Sequence, residues 1–225
     1  MGATETTGSR KGYRGMGMEG PISRWYAKVT RKDLPEYRRL AGVLAGRIGP
    51  GASVLEVATG PGFLAIELAR LGDFRVVGLD ISRTFVRMAA ENAREAGASV
   101  EFRRGNASEL PFEEGAFDLV VCRAAFKNFS EPARAIDEMH RVLRPGGAAY
   151  IYDLRSDARP EEVDAYVDGL GLGRLDALMT RWTFRHMLIP RAYSSGQFRE
   201  MAEASRFGGC TIEMTPTGLE VALRR

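Results

Sequence analysis

Between residues 53 and 152, short β-branched strings alternate with longer strings whose apolar positions recur at helical spacing. That alternation leaves few architectures open. Residues 53–57, 74–79, 99–103, 117–122 and 148–152 read as strands. Residues 63–71, 83–96 and 132–143 read as helices, with Phe85, Met88, Ala89 and Ala93 sharing one side of the second. Strands joined through helices must run parallel, and their connecting helices cover both faces of the sheet. The expectation is therefore a doubly wound α/β fold. Before the first strand, Leu34, Tyr37, Leu40, Ala41, Leu44 and Ile48 mark a helix over 33–48, stopped by Gly49-Pro50-Gly51. At the other end, 210–214 and 219–223 flank Thr215-Pro216-Thr217-Gly218, a hairpin signature. The sheet is thus expected to have seven strands, mainly parallel, with an antiparallel strand at the C-terminus.

With 225 residues, 44% of them apolar, the chain is large enough for one well-filled core. No apolar run approaches the roughly 18 residues of a membrane span, and no secretory stretch opens the sequence, so a cytoplasmic location is expected. Cys122 and Cys210 stand alone, outside any Cys/His cluster. Neither a metal site nor a disulfide framework is expected from them. Charge is uneven: residues 1–47 hold ten Lys or Arg against four Asp or Glu. Two readings fit, a docking end for an anionic partner or the wet face of an amphipathic helix. Residues 1–18 have almost no apolar content and are expected to be mobile, with Met16 or Met18 as alternative starts. Residues 19–225 read as one domain. Within it, about 155–193 is too long and too rich in large side chains for a plain connection, and is expected to be a helical lid.

The stretch Glu56-Val57-Ala58-Thr59-Gly60-Pro61-Gly62 runs from the first strand into a helix. Gly60 and Gly62 carry no Cβ, so a ligand can lie directly on the turn. Asp80 ends the second strand 20 residues after Gly60, the offset at which an acid reaches a ribose diol. This much fits a nicotinamide dinucleotide or S-adenosylmethionine. Glu56 favours the latter, because an acid four positions before Gly60 is misplaced beneath a pyrophosphate and suited to a cationic ligand.

With these residues in place the chain resembles the class I S-adenosylmethionine-dependent methyltransferases, specifically their small-molecule branch, over about residues 40–153. Gly105-Asn106-Ala107-Ser108-Glu109-Leu110-Pro111-Phe112 is similar to their adenine loop. Residues 117–123 are similar to their fourth-strand motif, and 138–147 to the helix and turn before the fifth strand. The resemblance implies a Rossmann-like sheet with S-adenosyl-L-methionine as cofactor. Its implied contacts are Glu56, Ala58, Gly60, Pro61, Gly62, Asp80, Ile81, Asn106, Ala107, Cys122 and Arg123. Two departures stand out: Asn106 occupies a position that is often Asp, and Lys127-Asn128 stand where many relatives have paired histidines.

Methyl transfer from a sulfonium needs positioning first, and a base only when the acceptor brings its proton into the transition state. Asp153, just after the fifth strand, is a candidate base or amine anchor, or else a surface acid paired with Arg155. His186 is a second candidate, with packing or surface as its alternative. His140 lies on the helix before the fifth strand, away from the crevice. Trp25-Tyr26 are expected to close over the cofactor, Tyr26 reaching its carboxylate or stapling the first helix. Arg123 and Lys127 border the site, either gripping a substrate anion or facing solvent. The large side chains of 155–193 form core or line a lid over a partly hydrophobic acceptor. The resulting expectation is a methyltransferase acting on a small metabolite, as monomer or homodimer. RNA or peptide methylation, and binding of the cofactor without methyl transfer, are the alternatives.

Overall fold

The computed structural model describes residues 12–14 and 17–225. The strands are β1 (Ser53–Val57), β2 (Arg75–Asp80), β3 (Val100–Arg104), β4 (Phe117–Arg123), β5 (Leu143–Leu154), β6 (Thr211–Met214) and β7 (Gly218–Arg224). They form one sheet in the order β3-β2-β1-β4-β5-β7-β6. The first five are parallel, and β7 runs antiparallel to both β5 and β6. The expected fold is borne out. The antiparallel strand is not the sheet's edge, however: β7 inserts between β5 and β6, because Val221 and Leu223 are buried whereas β6 is largely exposed.

Burial explains these elements. Every residue of β1 is buried, as a central strand covered on both faces requires. Helices α1 (Pro21–Thr30), α2 (Leu34–Ala45), α3 (Phe63–Ala69), α4 (Arg83–Glu95) and α5 (Pro132–Val142) precede β5. On one face Tyr37, Leu40 and Leu44 of α2 pack with Leu64 and Leu68 of α3 against Val54 and Val121. The other face buries Ile136 and Met139 of α5 with Phe117, Val120 and Ile151. Ser82 starts α4 by accepting the Phe85 N–H at 3.1 Å.

After β5 come α6 (Pro160–Gly169) and α7 (Arg174–Thr183), then a π-helical turn over 184–188, a 3-10 turn over 189–191, and α8 (Ser195–Ala204). The ends of the 155–193 excursion are drawn together by a bridge between Arg155 and Tyr193. Its interior is a small cluster of Val163, Val167 and Ala177 with Phe184 and Ile189. Of the expected mobile tail, residues 1–11, 15 and 16 lie outside the described residues. Gly12–Arg14 are pinned, by a bridge from Tyr13 to Phe129 and by the Arg14 N–H donating to Asn128 O at 2.7 Å.

Candidate functional site

The strand order reverses between β1 and β4, and ligands of open α/β sheets bind beyond the carboxyl ends at such a switch point. Ala58 (φ 59°) and Ala124 (φ 57°), just past those two strands, are the only described non-glycine residues with positive φ. Left-handed backbone at a residue with a Cβ is strained, and here it turns the chain away sharply on both sides of one crevice.

The elbow after β1 is held from three sides. Glu56, buried in β1, accepts from Thr59 Oγ1 at 2.5 Å and from the Ala65 N–H at 3.0 Å, tying strand, turn and α3 together. Asp80 accepts from the Gly60 N–H and the Ser82 N–H, each at 2.9 Å. Asn92 of α4 donates to Pro61 O at 2.8 Å. The two glycines differ. A Cβ at Gly62 (φ 81°) would lie 2.8 Å from Ala89 Cβ, whereas one at Gly60 (φ 54°) would enter open space. Gly62 therefore allows close packing and Gly60 leaves a cradle.

Burial pushes the Glu56 carboxyl up to about 7, against the opposing pull of the Thr59 and Ala65 donors and the nearby Arg123 charge. Burial likewise raises Asp80, opposed by its backbone donors. A carboxylate offers about four acceptor positions, so Asp80 keeps capacity for a diol after bonding Gly60 and Ser82. Arg123 lays its guanidinium over the Tyr37 ring at 4.3 Å.

Other expected contacts fall unevenly. Ile81 is half-exposed, and the backbone of Gly12 lies against both it and Asn106. Asn106 Oδ1 accepts the Ser108 N–H at 3.0 Å. The side chains of Ala107 and Cys122 are enclosed in the core, which leaves their backbone for any ligand contact. Tyr26 turns inward, edge-on to Phe85 and within electrostatic reach of Arg123, Tyr13 and Asp153. Trp25, one position before it, is 66% exposed. Adjacent helical residues point about 100° apart, so the two rings take different sides of α1.

The base candidates fall in three different settings. Asp153 is buried and paired with Lys127, whose Nζ donates to its Oδ1 at 2.7 Å and whose N–H donates to Oδ2 at 2.9 Å. Arg155 instead bonds Asp157 and Glu162. Lys127 is therefore neither solvent-facing nor free to grip an anion: its Nζ also donates to Ala124 O at 2.8 Å. His186 is exposed in the π-helical turn, its ring 5.5 Å from Trp182. His140 packs edge-on against Phe207, on α5. The Lys127–Asp153 pair and the Gly12–Arg14 crossing were not anticipated. The first becomes legible once β4 and β5 pair with Arg123 opposite Tyr152. The second has no local sequence signal, since its partners, Asn128, Phe129, Ser130 and Tyr193, are all distant in sequence.

Residues 55–151 match a family model described as a methyltransferase domain. Demethylmenaquinone methyltransferase of Chlorobaculum parvum is 30% identical over 141 residues, 62% of this chain and 57% of that protein. The namesake from Deinococcus radiodurans is 38% identical over 119 residues, 52% of this chain and 49% of its own length. The chain thus spans about half the length of the curated relatives it matches. Among solved structures, the cyclase SpnF superposes with a TM-score of 0.60 at 29% identity, over 79% of this chain and 58% of that one. A Methanococcus maripaludis protein described as a candidate S-adenosyl-L-methionine-dependent methyltransferase covers 96% of both chains at a TM-score of 0.73 and 20% identity. The last likeness is one of fold. The resemblance read from the motifs is borne out.

Proposed function

We propose that this chain, whose residues 55–151 carry a methyltransferase domain, moves a methyl group from S-adenosyl-L-methionine to a small, partly hydrophobic metabolite. The observation that carries the reading is the cradle above Gly60, bracketed by the buried carboxylates of Glu56 and Asp80. Asp80 would hold the ribose hydroxyls, Gly60 admits the donor's close approach, and Ile81 with Asn106 would flank the adenine. Glu56 and Tyr26 would lie toward the sulfonium end. When bound, the donor supplies an activated methyl carbon open to in-line attack. Asp153 is tied to Lys127 and His186 faces outward, so we assign the chain's contribution to holding donor and acceptor together and excluding water. Such positioning accounts for several kcal/mol of barrier reduction, up to about 7–11 in ideal intramolecular cases.

The α6–α7 excursion leaves from the carboxyl end of β5, and α7 exposes Leu175, Leu178, Met179 and Trp182 along one side. We read it as a lid against the acceptor's apolar body, in line with relatives named for a quinone precursor. The free Cys122 and Cys210 suit a reducing, cytoplasmic setting. The test is incubation with the donor and demethylmenaquinol or cell extract. A product one methylene heavier, formed with S-adenosylhomocysteine, is expected. A second reading, cofactor binding without methyl transfer, is favoured by the likeness to a cyclase; donor binding with no heavier product would select it.

A further inference from the structure

Helix α1 carries two features that its own fold leaves unused. Its inward side is Ser23, Ala27 and Thr30. Turned away from these, Ile22, Trp25 and Val29 recur at helical spacing and are 42%, 66% and 44% exposed. Beside that apolar stripe run Arg24, Lys28 and Arg31, followed by Lys32, all exposed, and residues 21–32 contain no acid. Arg24 and Lys28 also line a groove of about 240 Å³ with Arg31, Phe63 and Met88.

These cations differ from the neighbouring ones on α2. Arg39 is bonded to Glu36 and Arg38 to Glu67. Among the described residues Arg24, Lys28 and Lys32 form no ion pair, and Arg31 meets only Asn92 and the Phe63 ring. An exposed Trp with aliphatic neighbours favours the boundary between headgroups and acyl chains, and unpaired cations beside it favour anionic headgroups. Nucleic acid would use the charges but would leave Ile22 and Val29 in water.

We propose that α1 is a membrane-surface anchor, laying Ile22, Trp25 and Val29 into the interface of an anionic bilayer while Arg24, Lys28, Arg31 and Lys32 meet lipid phosphates. Helix α1 also carries Tyr26 beside the crevice, but the exposed stripe and its cations use none of the groups that would hold the donor, so the inference does not depend on the methyl acceptor. It explains why the basic excess of residues 1–47 is left unpaired on α1.

The experiment is sedimentation of the whole chain with vesicles of phosphatidylcholine alone and of equimolar phosphatidylcholine and phosphatidylglycerol. Binding to the mixed vesicles only, weakening with added salt, is expected. Each Lys or Arg near such a surface contributes about 1 kcal/mol, so R24Q and K28Q should each weaken binding about fivefold. Trp25→Ala should weaken it in low and high salt alike. All three sites are exposed, and an unchanged melting temperature would show the variants folded. No preference for the mixed vesicles, or equal binding by wild type and variants, would overturn the proposal. So would tighter binding to a single-stranded RNA than to the mixed vesicles.

Discussion

Glu56 makes the ligand-free protein's stability depend on pH in an unusual direction. Its carboxyl rises from the ordinary 4.5 to about 7, chiefly through burial. Below 4.5 the group is protonated in both folded and unfolded chains and contributes no difference. Between 4.5 and about 7 the unfolded chain releases the proton while the folded one keeps it, so stability falls as pH rises; above about 7 the loss is complete. The shift corresponds to about 3 kcal/mol, to order of magnitude. Glu56→Gln keeps an acceptor for Thr59 and Ala65 and cannot ionise. Urea denaturation at pH 4 and pH 8 should therefore show a wild type weaker at pH 8 in this group's contribution, and a variant that recovers about 3 kcal/mol there while nearly matching wild type at pH 4. The same substitution should weaken S-adenosylmethionine more than its neutral product, because the ionised carboxylate favours the sulfonium. A variant that tracks the wild-type pH dependence would refute the assignment.

Lys127→Met leaves Asp153 buried without its cation and should cost about 3–5 kcal/mol, read from the denaturation midpoint; Lys127→Met with Asp153→Leu should recover much of it. Gly62→Ala should lower stability by about 1–3 kcal/mol, since its Cβ meets Ala89 and its φ is left-handed. Gly60→Ala, whose Cβ meets nothing, should cost less in thermal melting while losing affinity for the donor.

The central strands were readable because full burial selects unbroken β-branched runs such as Ser53–Val57. The turn Arg144-Pro145-Gly146-Gly147 hid the true start of β5: the chain resumes pairing with β4 on both sides of a register shift, which no local pattern announces. Helix α1 escaped notice because its buried side is Ser23, Ala27 and Thr30, so the usual apolar period faces outward. Helix α8 buries only Phe198 and Ala202, too few to show a period. At the site, Glu56, Gly60, Gly62 and Asp80 were legible because turn geometry and strand ends confine them. Asp153 was read as a base or amine anchor, or else as a surface acid paired with Arg155, whereas its partner Lys127 comes from the turn that follows the neighbouring strand β4; tertiary pairing decides that.

The central claim is that the elbow between two buried carboxylates binds an adenosyl sulfonium, and calorimetric titration with S-adenosylmethionine tests it most directly. Saturable binding is predicted, weakened at least about thirtyfold by Asp80→Ala through loss of charge-assisted bonds to the diol, in a variant confirmed to be folded. Absence of binding, equal affinity in the variant, or preference for a nicotinamide dinucleotide would contradict it.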